Sequence, residues 1–188
     1  MISRTYTRYL FSIPLFLGLL FVNAQTKQLS PGRKKLTTSD FKGVPDEKEN
    51  YLARTFSVIS LKYFAPANCI EKGKIKLQVE TNNTVSEKSW LKVDRIKSEE
   101  ILNDLLSHEQ GHYDIGQTFA IDLKNKISNT CFDKKLYKIQ ADSIFRSMNK
   151  YYDSLQRKYD IDTDHMRNKK MQSKWDATIA SRLDEVRK

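Results

Sequence analysis

The sequence predicts an α+β domain in which short strands come first and three helices follow. Residues 55–64 are rich in β-branched and aromatic side chains, and between residues 75 and 80 apolar and polar side chains alternate, as in a half-buried strand. After Ser98, apolar residues recur at helical spacing in three stretches that contain no proline. Strands grouped before helices are typical of α+β domains.

Three strands are predicted in the first part of the domain, over residues 55–64, 75–80 and 90–93. Asn82 and Asn83 follow the second of them, and we expect a turn there because asparagine favours turn conformations. Together the strands predict a small antiparallel or mixed sheet, which we expect to pack on the first helix.

The helical part divides into helices over residues 98–128, 134–158 and 169–186. Ser98 is a suitable N-cap, and the acidic residues Glu99 and Glu100 lie where the helix dipole is positive. Residues 159–165 are polar and predict a joint between the second and third helices.

Length and composition favour one ordinary globular domain. The chain has 188 residues, of which 39% are hydrophobic and 30% charged, so we do not expect the chain as a whole to be disordered. The formal net charge is +10, which suits nucleic acid, an anionic envelope surface or an acidic substrate. No nucleic-acid recognition motif is visible, and we expect no nucleic-acid partner.

The first residues have the pattern of an export signal. Arg4 and Arg8 precede an apolar run over residues 10–22, and Ala24 offers a cleavage site. The run is shorter than the ~18 apolar residues of a spanning helix, so we expect no transmembrane span in the mature chain; an uncleaved membrane anchor is the alternative. We predict a signal peptide over 1–24, a flexible leader over 25–35 and one domain over 36–188, located in the periplasm or outside the cell.

Two cysteines, Cys69 and Cys131, are present in the chain. Export would permit a disulfide between them, and buried free thiols are the alternative. Two cysteines are too few for a four-thiolate zinc site.

The chemistry is carried by residues 108–112, His-Glu-Gln-Gly-His, inside the first predicted helix. Residues four apart on a helix lie about 40° apart, so His108 and His112 can reach one metal ion. Glu109 lies beside them, where it can take a proton from a metal-bound water. The pattern predicts one zinc ion per chain, with Glu109 as general base.

The arc of the helix that carries His108 also carries other residues that we expect to face the site. Gly116, one turn beyond His112, leaves room for another segment or a substrate. At 100° per residue, the arc contains Leu105, His108, Glu109, His112, Gly116 and Phe119.

A third protein ligand is needed to complete a zinc site. We predict His165, which lies in the polar joint, with an aspartate as the alternative. Tyr159 could donate a hydrogen bond to the oxyanion of a reaction intermediate or pack as a buried aromatic, and Asp160 or Asp164 could orient a ligand imidazole. The aspartates that could replace His165 are Asp122, Asp142, Asp153, Asp160, Asp162 and Asp164.

The chain resembles a bacterial domain-of-unknown-function family, number 922, whose members are described as predicted secreted zinc-dependent proteases. Residues 36–43 and 53–55 are similar to its N-terminal signature, and Ser89-Trp90 with residues 105–115 to its core. Residues 159–165 are similar to its C-terminal segment, in which a glycine commonly follows the histidine; here that position is Met166. The resemblance implies a zincin-like metallopeptidase.

We therefore expect an exported zinc peptidase that hydrolyses peptide bonds of a protein or peptide substrate, with zinc held by His108, His112 and His165. The alternative is a non-catalytic, zinc-stabilised basic protein of the cell envelope that binds an anionic polymer.

Overall fold

A computed structural model describes residues 33–64, 70–71 and 73–187 of the chain. The predicted signal peptide over 1–24, most of the predicted leader and Cys69 lie outside these residues. Cys131 is exposed just after the first helix, and its pairing with Cys69 stays a prediction.

The described residues form an α+β structure, as the order of strands and helices predicts. Three α-helices follow the strands: α1 (Glu99–Ser128), α2 (Tyr137–Thr163) and α3 (Lys169–Val186). The strands are β1 (Ala53–Arg54), β2 (Ser57–Phe64), β3 (Ile70–Glu71), β4 (Lys74–Ile75), β5 (Gln78–Val85), β6 (Trp90–Leu91) and β7 (Phe132–Asp133), the last of which lies between α1 and α2.

The strands pair in small antiparallel sheets. β2 pairs with β5 along its whole length, with Ser57 opposite Val85 and Phe64 opposite Gln78. β1 pairs with β6, and β4 lies between β3 and β7. The alternation predicted between residues 75 and 80 is confirmed, because Ile75, Leu77 and Val79 are buried while the polar residues between them are exposed. The single strand predicted over these residues is wrong, since β4 ends at Ile75 and β5 begins at Gln78.

The predicted turn at Asn82 and Asn83 is wrong, because both residues lie inside β5. Asn83 is buried, and its side-chain amide donates a hydrogen bond to the carbonyl of Tyr113 on α1 (2.9 Å). This bond gives the side-chain NH2 group of Asn83 a partner inside the strand, where asparagine is otherwise disfavoured, while Oδ1 has none among the described residues. The sheet therefore continues over α1 where the sequence suggested that it turned back.

Helix α1 is the centre of the domain and packs against β5, α2 and α3. Its predicted start is confirmed, since the Ser98 side chain accepts a hydrogen bond from the backbone N–H of Ile101. Ile115, Phe119, Leu123 and Ile127 form the middle of the core together with residues of the strands, α2 and α3. The burial of these apolar side chains holds α1 against its neighbours.

Helix α2 begins and ends later than predicted. Residues 132–133 pair with β4 as β7, so the helix begins only at Tyr137. At the other end, Tyr159 and Thr163 are fully buried, and the helix continues through them to Asp164 as its C-cap. The joint to α3 is therefore residues 164–168 rather than 159–165.

The end of the segment predicted as a flexible leader is held on α1. The Arg33 guanidinium donates to both carboxylate oxygens of Asp114, which is fully buried. The side chain of Gln110 accepts from the backbone N–H of Leu36 (2.8 Å) and donates to the carbonyl of Lys34 (3.0 Å). These residues cover the side of α1 that is turned away from the two histidines.

None of the helices in the described part of the chain has the length and apolar character needed to span a bilayer.

Candidate metal centre

Three imidazoles and one carboxylate meet where α1, the end of α2 and the joint before α3 come together. One oxygen of Asp160, Oδ1, lies 3.2 Å from His108 Nε2 and 2.9 Å from His112 Nε2. The same oxygen lies 3.3 Å from Nδ1 of His165. The ligand atoms of His108, Asp160 and His165 all lie within 4.8 Å of one another, a spacing that could hold a metal ion.

The joint after α2 has an unusual backbone that brings His165 to this point. Asp164, His165 and Met166 all have positive φ angles, of 46°, 47° and 76°. Such left-handed conformations cost about 1 kcal/mol or more for each residue other than glycine. The ring of His165 also lies against the ring of Tyr51, at 4.3 Å between centroids. The chain thus keeps a strained turn, and the turn places an imidazole beside Asp160.

Two glutamines contact His108 and His112 at Nδ1, the ring nitrogen that does not face Asp160. Nδ1 of His108 lies 3.1 Å from Oε1 of Gln172 on α3, and Nδ1 of His112 lies 2.6 Å from Oε1 of Gln156 on α2. The amide groups cannot simply be reversed, because each already donates elsewhere. Gln156 donates to the carbonyl of His112, and Gln172 donates to the hydroxyl of Tyr159.

This arrangement would suit a positive species between the histidines and Asp160. Both ring nitrogens of His108, and both of His112, face oxygen acceptors. A neutral imidazole carries a single N–H, so it can donate to only one of its two acceptors. Either a second proton on each ring or a metal ion at Nε2 resolves the conflict. The donor set of imidazole nitrogens and a carboxylate is one that zinc accepts.

The pKa shifts of His112 and Asp160 also favour a positive charge beside a negative one. Burial opposes a charged His112, but the hydrogen bond with Asp160 and the negative charge of Glu109 raise the pKa of His112 above its ordinary value. Burial likewise opposes a charged Asp160, yet the hydrogen bonds with His108 and His112 hold the pKa of this carboxyl far below its usual range. The pocket therefore favours an anionic Asp160 next to a cation.

Glu109 is buried beside the histidines, and one of its oxygens has no partner. The residue is 3% exposed, and Oε2 makes no hydrogen bond within the described part of the chain. A buried carboxylate oxygen without a donor is unfavourable unless something else supplies a proton or charge. Glu109 lines a cavity of about 490 Å³ together with His108, His112, Asp160 and His165.

The cavity is lined by α1, which we call its floor, and by two further segments, which we call its walls. One wall is the strand segment of residues 50–57 with Ile59, and the other is α2 from Asn149 to Asp160. The floor consists of the residues that share the predicted arc of α1, namely Leu105, His108, Glu109, His112, Gly116 and Phe119. The space left by Gly116 is filled by a neighbouring segment, because a Cβ there would lie 2.9 Å from Oγ of Ser57.

Tyr159 is not placed to act on a substrate. Its hydroxyl donates to the backbone carbonyl of His108 (3.0 Å) and accepts from Gln172, and the residue is fully buried outside the cavity lining. Burial raises its pKa well above the ordinary value, so the hydroxyl keeps its proton. The structure supports the other reading of Tyr159, as a packed aromatic whose ring stacks on that of His108 at 4.8 Å.

The two aspartates predicted to orient a ligand have different positions. Asp160 lies among the three histidines, closer to the centre than a supporting role requires. Asp164 is exposed and pairs with Arg167 at 3.6 Å, and its role beside an imidazole stays a prediction.

Sequence reasoning missed Gln156, Gln172 and Gly111. Gln172 is a buried polar residue on the inner face of α3, a pattern that could have indicated a hydrogen-bonding role. Gln156 has no such signal in a single sequence. Gly111 is the residue where Tyr159 comes closest to α1, since a Cβ there would lie 2.5 Å from Cζ of the tyrosine.

Comparison with known proteins gives one match. A family described as "Bacterial protein of unknown function (DUF922)" matches residues 42–166, which include every side chain of the centre described above except Gln172. Searches among curated proteins and among solved structures give no match. Since the match covers more than half of the sequence, this chain belongs to the DUF922 family.

Proposed function

We propose that this protein is a zinc-dependent peptidase that hydrolyses peptide bonds in the cavity above α1. The observation that supports the proposal most strongly is the combination of convergent histidines with Glu109, whose buried oxygen has no partner in the described residues. The environment of Glu109, with low solvent access and no competing hydrogen-bond donor at Oε2, is one in which a carboxylate could act as general base on a bound water molecule.

His108, His112 and His165 would hold the metal, and Asp160 would lie beside it. Zinc bound there would lower the pKa of a coordinated water and polarise a substrate carbonyl. The glutamines accept hydrogen bonds from Nδ1 of His108 and His112, which leaves the Nε2 lone pairs directed at the metal position. Asp160 compensates the positive charge.

Glu109 would act as general base on the attacking water and then give the proton to the leaving amine. Its own position is fixed by burial on α1, one residue from His108. Tyr159 and Gln172 are positioning residues, because they lock the backbone and ring of His108 without contacting the cavity.

Two further parts of the proposal come from the sequence. The first is a zincin-like arrangement, in which a strand lies beside the helix that carries His108 and His112. The strand segment over residues 50–57, which lines the cavity together with that helix, is consistent with it. Export to the periplasm or the exterior follows from the pattern of residues 1–24.

A non-catalytic zinc-stabilised protein is the second candidate, and one observation favours it. Asp160 offers a fourth donor beside the three histidines. Four protein ligands would close a tetrahedral site, as in structural zinc sites, whereas catalytic sites keep one position for water. The two candidates differ in what they require of Glu109, because a closed structural site has no use for a general base.

The experiment compares residues 25–188 with the variants Glu109→Gln and Glu99→Gln. Glu99 lies on the same helix in its exposed first turn and is the matched control. Zinc content is measured by mass spectrometry, and turnover is followed on dye-labelled, reduced and alkylated casein. We expect wild type and Glu99→Gln to cleave, and Glu109→Gln to keep zinc but lose at least 100-fold in rate. Cleavage by Glu109→Gln at the wild-type rate would contradict the role of Glu109. Absence of cleavage by wild type that holds one zinc would favour the structural candidate.

A further inference from the structure

Outside the metal centre, the lining of the cavity carries more positive than negative side chains. Three arginines contribute to it from three separate segments, namely Arg54 of β1, Arg157 of α2 and Arg167 of the joint before α3. Apart from the acidic groups of the centre itself, Asp153 is the one carboxylate that the described residues add to the lining. An anion that enters the cavity therefore meets an excess of guanidinium groups.

The guanidinium of Arg157 has no acidic partner within the described part of the chain. The residue is exposed on α2, with Asp153 one turn before it and Asp160 one turn after it. Both carboxylates have other partners, since Asp153 accepts from the side chain of Asn149 (3.0 Å) and Asp160 faces the imidazole of His112. The five N–H donors of Arg157 are thus available to an acid that enters the cavity.

Arg54, on the other wall, is held by a ring and by one ion pair. Its Cζ lies 5.0 Å from the ring centroid of Phe56, which also lines the cavity. One of its nitrogens, Nη1, lies 3.3 Å from Oε1 of Glu49. The N–H groups of a guanidinium lie in its plane, so contact between its face and a ring leaves the remaining donors for a second acid.

Arg167 contributes less than the other two arginines. It already pairs with Asp164 at 3.6 Å, and its side chain is 71% exposed. Attraction between charges that are open to solvent is weak, because water and salt screen it. Recognition of an anion in this cavity therefore depends on Arg54 and Arg157.

A carboxylate is the anion that suits these two arginines in a peptide. Guanidinium groups bind carboxylates through two parallel N–H···O hydrogen bonds, which a neutral amide side chain cannot match. The cavity of about 490 Å³ is partly enclosed by its floor and walls, so a charge pair formed inside it is screened less than on an open surface.

We infer that the cavity selects peptides that carry acidic side chains, and that Arg157 and Arg54 recognise these side chains. The inference deepens the proposed function and rests on it in taking the ligand to be a peptide. Binding of the acid does not itself require cleavage, and both arginines are assigned to specificity rather than to hydrolysis.

Fluorescence anisotropy on the zinc-loaded Glu109→Gln variant of residues 25–188 tests the inference. The probes are two mixtures of dodecapeptides that have random uncharged residues and four fixed positions, occupied by glutamate in one mixture and by glutamine in the other. Both are acetylated and amidated, so that a terminal carboxylate plays no part, and both carry a rhodamine without net charge. We expect the glutamate mixture to bind at least tenfold more tightly.

Substitutions in the same background show which side chains produce this ratio of affinities. Arg157→Gln and Arg54→Gln should each lower the ratio about threefold, and the double variant should bring it close to one. Arg146→Gln is the matched control, because Arg146 is exposed on α2, has no acidic partner among the described residues and lies outside the cavity lining. It should keep the original ratio. An equal fall in Arg146→Gln would overturn the inference, since the preference would then come from the basic surface as a whole.

Chelation of zinc separates the arginines from the metal as the group that binds the acid. In the chelated protein, the glutamate mixture should still bind more tightly than the glutamine mixture, and Arg157→Gln should still lower the ratio. A preference that requires zinc and is unchanged in Arg157→Gln would overturn the inference, because the carboxylates would then bind the metal.

Cleavage assays with the same mixtures distinguish this inference from the proposed function. A glutamate preference that depends on Arg157, in a protein whose wild type cleaves neither mixture, would support the acid-binding cavity and reject the peptidase. Cleavage of both mixtures at equal rates, by wild type and by Arg157→Gln alike, would overturn the recognition of acids and leave the peptidase.

Discussion

Gly111 has no side chain, and Tyr159 on α2 occupies the space where one would be. We expect Gly111→Ala to destabilise the protein by about 1–3 kcal/mol, the usual cost of overpacking. In a Tyr159→Ala background the same change should be neutral or stabilising by about 1 kcal/mol, because alanine favours helix over glycine. Urea unfolding of the four proteins gives the coupling energy. An equal cost of Gly111→Ala in both backgrounds would show that Tyr159 is not the obstacle.

Met166 has a φ angle of 76° and packs beside Leu105 in a small apolar cluster. Met166→Ala loses this packing and keeps the strained angle, whereas Met166→Gly loses the packing and relieves the strain. We expect the glycine variant to be more stable than the alanine variant by about 1 kcal/mol, which reverses the order found in helices and strands. Thermal unfolding of the two variants measures this difference. An alanine variant as stable as the glycine variant would show that the backbone relaxes at this position.

At the scale of residues, the sequence predicts the side chains that belong to a recognisable motif. It misses those whose role depends only on where the fold places them. His108, Glu109 and His112 can be found from their spacing alone. Gln156 and Gln172 cannot, because a glutamine gives no indication of its partner until α2 and α3 are packed on α1.

At the scale of elements, the buried ion pair between the Arg33 guanidinium and the Asp114 carboxylate fixes the N-terminal segment to α1. Removing Arg33 would leave a buried carboxylate without its main partner, which typically costs about 3–5 kcal/mol. We expect Arg33→Ala to lose about this amount at pH 7, and Asp114→Asn in the Arg33→Ala background to recover a large part of it. Urea unfolding checks both. If Arg33→Ala lowers the free energy of unfolding by less than about 1 kcal/mol, the ion pair with Asp114 does not stabilise the fold as described.

The pH dependence of the Arg33→Ala variant follows from the same pair. Burial raises the pKa of Asp114 above its ordinary value, although Arg33 opposes the rise. Without Arg33 the folded pKa rises further above the unfolded pKa, so the folded state binds a proton more readily. Stability relative to wild type should therefore increase as pH falls from 7 to 5. A difference between the two proteins that is constant with pH would argue against an ionised Asp114.

Helix α1 illustrates what an element contributes to prediction. Its periodicity fixes which residues share a face, and the arc of six residues that includes His108 is the floor of the cavity. The turn predicted at Asn82 and Asn83 is wrong because propensity is a local signal, while the hydrogen bond from Asn83 to Tyr113 joins residues 30 apart in the chain. The predicted end of α2 is wrong for a similar reason, since the burial of Tyr159 and Thr163 and the hydrogen bond from Tyr159 to the carbonyl of His108 depend on packing between α2 and α1.

At the scale of the whole molecule, the candidate metal centre joins α1, α2 and the joint that leads into α3. A ligand that binds only the folded state stabilises it, by about 2.7 kcal/mol when its free concentration is 100 times Kd. For a domain of this size we expect zinc to raise Tm by about 5–10 °C over the chelated protein. The shift should be absent in His112→Ala. Differential scanning calorimetry measures it, and an equal shift in His112→Ala would place the zinc elsewhere.

The most direct test is the zinc stoichiometry and affinity of residues 25–188, purified without added metal and then titrated with zinc, beside His165→Ala and Asp164→Asn. Asp164 is the matched control, because it lies in the same left-handed turn but pairs with Arg167 outside the centre. We expect one zinc per chain in wild type and in Asp164→Asn, and at least 100-fold weaker binding in His165→Ala. A wild-type chain that binds no zinc, even after reconstitution, would contradict the metal centre and with it the proposed peptidase.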